Sequence, residues 1–206
     1  MLEAAGVDCE RGGRVLFRGL SFTLGRGEAL RIAGANGRGK TSLLRVLCGL
    51  LLPDGGEVRW QGGNIRQLRE EYSRQLVFIG HASALKDDLT AAENLRIACT
   101  LAGLAVSDDS IQESLKKFDV QKAFFVKQLS QGQRRRAQLA RLALSESIPL
   151  WLLDEPLAGL DESAARLTEG LIAQHVARGS VVIYTTHQEA RIEGTVRVLN
   201  LEQPGA

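Results

Sequence analysis

Cysteine, proline and aromatic side chains are scarce in this chain, with 3 Cys, 4 Pro and 5% aromatic residues among 206. Cys9, Cys48 and Cys99 are odd in number and show neither a C-x-x-C pair nor metal-ligand spacing. That argues against a disulfide framework or a cysteine zinc site and fits free thiols in a reducing cytosol. No apolar run approaches the roughly 20 residues that a membrane-spanning helix needs. The opening "MLEAAGVDCERGG" has neither a basic start nor an apolar middle, so no secretory signal is expected there. An excess of one charge is also missing: 26 Lys and Arg against 24 Asp and Glu leave +2, too little for a global nucleic-acid footprint. Repeats and low-complexity tracts are absent, which removes solenoids from consideration. A soluble globular domain remains, with room for a small second lobe, and any work at a membrane is expected to run through a partner.

What the chain does have is an alternation of short apolar runs and helical patterns. "LEAAGV" and "VLFRGLSFTL", separated by "ERGGR", predict antiparallel strands joined by turns. "EALRIAG" predicts a strand leading into a glycine-rich loop and a helix, and the turn signal in "LLPDGGEVRW" precedes another strand. "RQLVFIG", residues 74 to 80, has the length of a buried strand. Between about residues 90 and 146 the pattern is helical with almost no strand signal. "PLWLLDEP" and "SVVIYTTH" are two apolar strands flanking the helical "ESAARLTEGLIAQHVARG". Strands alternating with helices imply an α/β fold with a mostly parallel sheet covered on both faces. The expected division is a core with an amino-terminal β subdomain over 1–89 and 147–206, interrupted by a helical lobe over 90–146.

"GANGRGKTS", residues 34 to 42, fits G-x-x-x-x-G-K-[ST] with Gly34, Gly39, Lys40 and Thr41 in the fixed places. Glycines let consecutive amides curl toward an anion, the following helix adds its positive end, and Lys40 brings a full charge to the outer phosphates. Ala35, Asn36, Gly37, Arg38 and Ser42 complete the cradle, and the Thr41 hydroxyl suits Mg²⁺. An ordinary glycine-rich connection is the alternative for a lone match. A second phosphate-handling element should be a carboxylate at the end of an apolar strand, and "LWLLDEP" supplies Asp154 for the ion and Glu155 for the attacking water. In "LSQGQRRRAQLARLAL", Ser130 and Gly132 either cap a helix or form a second anion site at its amino end. The run Arg134 to Arg136 reads as a solvated or partner-facing helix surface.

The order and spacing of Gly34 to Thr41, "LSQGQ", "LLDEP" with "LAGLD", and "TTH" resemble those of the ATP-binding cassette ATPases over nearly the whole chain. The resemblance implies a P-loop NTPase with a RecA-like parallel-sheet core, binding ATP and Mg²⁺. It implies that the signature Leu129, Ser130, Gln131, Gly132 and Gln133 contacts ATP on an opposite protomer, giving a head-to-tail dimer with composite sites. Asp161 would join the sites across the interface, and His187 would be the switch histidine bridging γ-phosphate, Glu155 and the partner chain. Membrane work implies integral-membrane subunits, one of which sends a helix into a groove near "ASALKDDLT".

Departures from the family pattern fall at two positions. His81 stands where the family usually has a glutamine reaching Mg²⁺ and the attacking water. An imidazole is shorter in reach and changes charge near neutrality, which leads us to expect pH-sensitive turnover unless His81 is a plain loop residue. Arg11 stands where an aromatic ring would stack on adenine; a guanidinium plane can still stack, with less apolar contact, and a solvated turn arginine is the alternative. His81 with "LSQGQRRRAQLARLAL", "LWLLDEPLAGLD" and "TTHQ" most resembles the haem-exporter ATP-binding subunits of cytochrome c maturation. That resemblance implies a peripheral ATPase on the cytoplasmic side of the inner membrane, without direct haem binding and without nucleic acid. Another transporter's ATPase, a soluble cassette ATPase or a small-molecule kinase are the competing readings.

Overall fold

The structure, a computed structural model, describes residues 1–121, 123–187 and 192–201. Two antiparallel strands open the chain, β1 (Leu2–Arg11) and β2 (Arg14–Leu24). The turn between them runs through Gly12 and Gly13 with φ of 58° and 73°, which glycine reaches without a Cβ clash. After β3 (Ala29–Ala33) and α1 (Lys40–Leu47), β1 also receives β4 (Gly55–Trp60), and β5 (Gly63–Asn64) closes a sheet of order β2-β1-β4-β5. This is the expected amino-terminal β subdomain.

The second sheet is wholly parallel. It consists of β3 with β6 (Leu76–Ile79), β7 (Leu150–Leu153), β8 (Val181–Thr185) and β9 (Val196–Asn200), in the order β6-β7-β8-β3-β9. Because all strands point the same way, the loops that follow β3, β6, β7 and β8 emerge at one edge, where ligands of open parallel sheets bind. Side-chain alternation divides the interior. Leu150, Leu152, Val181 and Ile183 pack with the antiparallel sheet and α1, whereas Trp151, Leu153, Val182 and Tyr184 pack on the opposite face. Runs that are apolar at every position are what a sheet buried on both faces requires.

Helices α2 (Arg69–Arg74), α3 (Ala91–Leu101), α4 (Asp108–Lys117), α5 (Gln131–Leu144) and α6 (Glu162–Ala177) complete the chain. α3, α4 and α5 all fall between β6 and β7, the segment read as helical. Each begins on a hydroxyl cap, Thr90, Ser107 and Ser130, the first and last in a reciprocal capping box with Glu93 and Gln133. Their apolar faces, including Leu95, Ile111, Leu115 and Leu139, join the cluster that covers Val77, Trp151 and Tyr184, so the helical segment shares its core with the sheet. Strand β9 and helix α2 were not legible beforehand. Most of β9 is exposed or half-buried at the sheet edge, and α2 buries only Tyr72, so neither carries the apolar pattern that announces an element.

His175, on α6, stacks on Trp151 with ring centroids 3.7 Å apart and planes 10° from parallel. Burial pushes its imidazole from 6.5 down to about 4, against the opposing Ile148 backbone and with Arg178 and Glu146 acting in opposite senses. The unfolded chain therefore takes up this proton at a pH where the folded chain does not. Its contribution is complete above pH 6.5 and is lost as pH falls from there toward 4. Urea midpoints measured across that window should decline with falling pH, and His175→Phe should flatten the decline.

Candidate active site

The loop after β3 turns through Gly34, Gly37 and Gly39 with φ of 142°, 75° and 93°, all left-handed. Space is limiting as well, since a Cβ on Gly39 would stand 3.0 Å from the Leu16 Cβ and 3.3 Å from the Phe17 ring. Gly39 is the cap residue of α1; no side chain caps that helix and its first turn has no acid. The first-turn amides are thus left for an external anion, with the helix dipole in its favour. Lys40 is buried and folds back over the loop, its Nζ donating to the carbonyls of Gly34 at 2.7 Å and Ala35 at 3.1 Å.

Strand β7 delivers Asp154 and Glu155 beside this loop. Asp154 is only 2% exposed, and its carboxylate accepts from the Thr41 hydroxyl through Oδ2 and from the Thr185 hydroxyl through Oδ1, each at 2.8 Å. Thr185 Oγ1 in turn accepts the Glu155 N–H at 2.8 Å. One threonine at the end of β8 therefore orients both members of the acidic pair. Glu155 has φ of 51°, left-handed for a non-glycine residue, and its Oε1 lies 3.2 Å from His187 Nε2. Backbone strain of this kind persists only where neighbours hold it.

A cavity of about 600 Å³ gathers these groups. Asn36, Gly37, Gly39, Lys40, Thr41, Ser42, His81, Asp154, Glu155 and His187 all line it, together with Leu16 and Ala158. Gly34, Ala35 and Arg38 belong to the loop without lining the cavity. The Thr41 hydroxyl and Asp154 carboxylate are hard oxygen donors side by side, which suits Mg²⁺. Among the described residues no group of three or more His, Cys, Asp and Glu could hold a metal alone. An ion here would complete its shell with phosphate and water, as Mg²⁺ commonly does.

Other expected site residues lie elsewhere. Ser130 caps α5, accepting the Gln133 N–H at 3.2 Å while Gln133 Oε1 accepts the Ser130 N–H at 2.9 Å, and Leu129 is buried beneath. Neither Ser130 nor Gly132 lines this cavity; Gln131 and Gly132 line a neighbouring one of about 660 Å³. Asp161 caps α6 through Ala164 N–H at 2.9 Å and pairs with Arg136. Arg11 is held on the carbonyls of Glu10 at 2.8 Å and Leu52 at 3.4 Å, and the structure does not bring it to the cavity, where Leu16 is the apolar contact. Gln188 of "TTHQ" lies outside the described residues.

The reading of Arg134 to Arg136 as a solvated or partner-facing helix surface is corrected for Arg135, the one of the three that is buried. Arg134 pairs with Asp87 at 2.8 Å and Arg136 with Asp119 and Asp161, whereas Arg135 is buried and donates to backbone carbonyls around the acidic pair. Consecutive helix positions point in different directions, so a run of like residues need not share one environment. Sequence reasoning also passed over Thr185; the first Thr of "TTH" was available as a signal, since a hydroxyl at a strand end beside a buried carboxylate has an obvious acceptor.

Residues 17–158 match the family model described as ABC transporter. The chain is 46% identical to the cytochrome c biogenesis ATP-binding export protein CcmA of Nitrosomonas europaea, covering 98% of this chain and 94% of the relative. It is 48% identical to the protein of the same name from Aromatoleum aromaticum, covering 100% of this chain and 97% of the relative. Among solved structures, the dimeric structure of an ATP-binding cassette in a post-hydrolysis state, bound to ADP and Pi, superposes with a TM-score of 0.83 at 25% identity, covering 98% and 97% of the two chains.

Replacing Thr185 by Val keeps the shape and removes the hydroxyl from both Asp154 and the Glu155 amide. A buried acceptor left without its donor costs about 1–3 kcal/mol. Urea denaturation of Thr185→Val should show that loss, with an unchanged slope against denaturant.

Proposed function

From the premise that this chain belongs to the ABC transporter family, whose cassettes bind and hydrolyse ATP, we propose that it is the nucleotide-binding subunit powering an export step in cytochrome c biogenesis. The observation that carries the mechanism is the divided site: the phosphate loop, Asp154, Glu155 and His187 share one cavity, and Ser130 and Gly132 of the same chain stay outside it. A second copy placed head to tail supplies the missing donors. We assign the hydroxyl of Ser130 and the amide end of α5 to the γ-phosphate of ATP held by the opposite protomer, with Leu129, Gln131 and Gln133 shaping that end. Asp161 lies close by and is the candidate to couple the two sites.

Within one protomer, the loop amides that face the cavity, at Asn36, Gly37 and Gly39, and the amino end of α1 receive the phosphates, and Lys40 exchanges its loop carbonyls for phosphate oxygens. Thr41 and Asp154 are the residues that would hold Mg²⁺, with His81 a further candidate facing the same cavity. Bound there, the ion neutralises charge on the phosphate oxygens. Glu155 orients the attacking water and accepts its proton. His187, in contact with the Glu155 carboxylate, keeps that side chain aimed and offers a donor toward the γ-phosphate. Positioning and charge stabilisation carry most of the rate in phosphoryl transfer, so a lone protomer should be slow.

No described helix is long and apolar enough to cross a membrane, so export work passes through integral-membrane subunits. Residues 81–84 are exposed between the sheet core and the helical segment, which supports a helix of such a subunit docking there on the cytoplasmic side. We propose haem as the transported or released species and give this chain no part in ligating it. His175 is buried against Trp151, and His81 and His187 face the phosphate cavity, which accounts for all 3 histidines. Nucleic acid is not a proposed partner, given the balanced charge.

Glu155→Gln should leave ATP affinity within about twofold and cut phosphate release by about 10²–10⁴, the usual weight of a general base. Purification from native membranes should yield integral-membrane proteins bound to this chain. Recovery of phosphate on an organic acceptor instead of water would overturn the assignment.

A further inference from the structure

The middle arginine of the basic run is buried in the wall behind the active site. Arg135 is 9% exposed and uses its guanidinium as a fork. Nη2 donates to the carbonyls of Asp154 at 2.9 Å and Glu155 at 2.7 Å. Nη1 donates to the carbonyl of Gly80 at 2.8 Å and to Gln138 Oε1 at 2.8 Å. Gly80 immediately precedes His81, and Gln138 Nε2 reaches on to the Ala82 carbonyl at 3.4 Å. One side chain of α5 therefore holds the carboxyl ends of β6 and β7 together.

None of its hydrogen-bonding acceptors is a carboxylate. Taking a guanidinium out of water is costly, and an apolar or amide side chain would fill the space with less penalty if packing were its only task. Burial does lower the proton affinity of Arg135, and the charges of Asp154 and Glu155 act against that. The geometry gives the buried charge a use. Glu155 has a left-handed backbone, an arrangement that must be held from outside, and it is held at both peptide groups: Thr185 takes its N–H and Arg135 takes its carbonyl. Rotating that backbone would swing the carboxylate away from His187 and from the cavity.

We propose that Arg135 is a positioning residue for hydrolysis, which fixes the Glu155 carboxylate by clamping its backbone, and the entry to the His81 loop, to the helix that starts at Ser130. The inference rests on the reading of Glu155 as the group that activates water. It also supplies a physical link between the two halves of the divided site. Ser130 sits at the amino end of α5 and Arg135 in its second turn, so a shift of that end on meeting nucleotide reaches the Glu155 carbonyl through a single side chain. A planar fork suits the task, because an ammonium offers three donors from one point, and Arg135 serves four acceptors, on Gly80, Gln138, Asp154 and Glu155, through two separate nitrogens.

The experiment compares Arg135→Gln and Arg135→Lys in the full chain, alone and combined with Glu155→Gln, measuring kcat, KM for ATP and thermal unfolding without nucleotide. Misplacing a catalytic group by about 1 Å costs about 100-fold. Arg135→Gln is expected to lose about that factor in kcat while KM stays within about threefold, and Arg135→Lys, which keeps the charge, is expected to recover less than about a tenth of the loss. Because the residue acts through Glu155, adding Arg135→Gln to Glu155→Gln should not lower the residual rate further. Wild-type kcat in both single variants, or losses that multiply in the double variant, overturn the clamp while leaving the functional assignment standing. Hydrolysis that is indifferent to Glu155→Gln overturns the role of Glu155, and the clamp with it.

Discussion

The arrangement depends on one buried carboxylate. Asp154 is almost wholly out of water, at the end of a strand whose four residues are all buried, and an ionised group there is tolerated only if its oxygens are answered. Thr41 answers one and Thr185 the other. Those hydroxyls come from the helix after β3 and from the end of β8, so satisfying the charge fixes three neighbouring strand ends relative to one another. The phosphate loop, the acidic pair and His187 are in register because a single acceptor ties the segments that carry them.

A parallel sheet makes this economical. Every strand ends on the same side, and burial on both faces keeps the strand ends from shifting as side chains alternate between two apolar clusters. On one face lie α1 and the antiparallel sheet; on the other lie the helices inserted between β6 and β7. These helices share the sheet's own core instead of standing off on a linker. Arg135 adds a polar connection where the apolar one thins out, at the rim of the cavity.

The division of the site has a corresponding logic. Within a chain, the amino end of α5 is capped by its own Ser130 and Gln133, and neither Ser130 nor Gly132 lines the cavity beside the glycine-rich loop. In the head-to-tail arrangement proposed above, a complete set of donors around the γ-phosphate would require a second chain, and hydrolysis would be conditional on assembly.

Sequence alone determined the elements whose chemistry is local. The G-x-x-x-x-G-K-[ST] spacing states a loop with left-handed glycines before a helix, and the structure has left-handed φ at Gly34, Gly37 and Gly39. The apolar runs ending in "DEP" and "TTH" state buried parallel strands, because length and unbroken hydrophobicity suffice to mark them. What only the tertiary structure decided were relations between segments far apart in the chain: the edge strand β9, the rest position of Arg11 on Leu52, the double duty of Thr185 and the burial of Arg135 between Gly80 and Glu155. A residue type and its spacing reveal what its own backbone will do. They do not reveal which carbonyl or carboxylate will arrive beside it, since that is settled by how two apolar surfaces pack, and in this chain three adjacent arginines met three different surroundings.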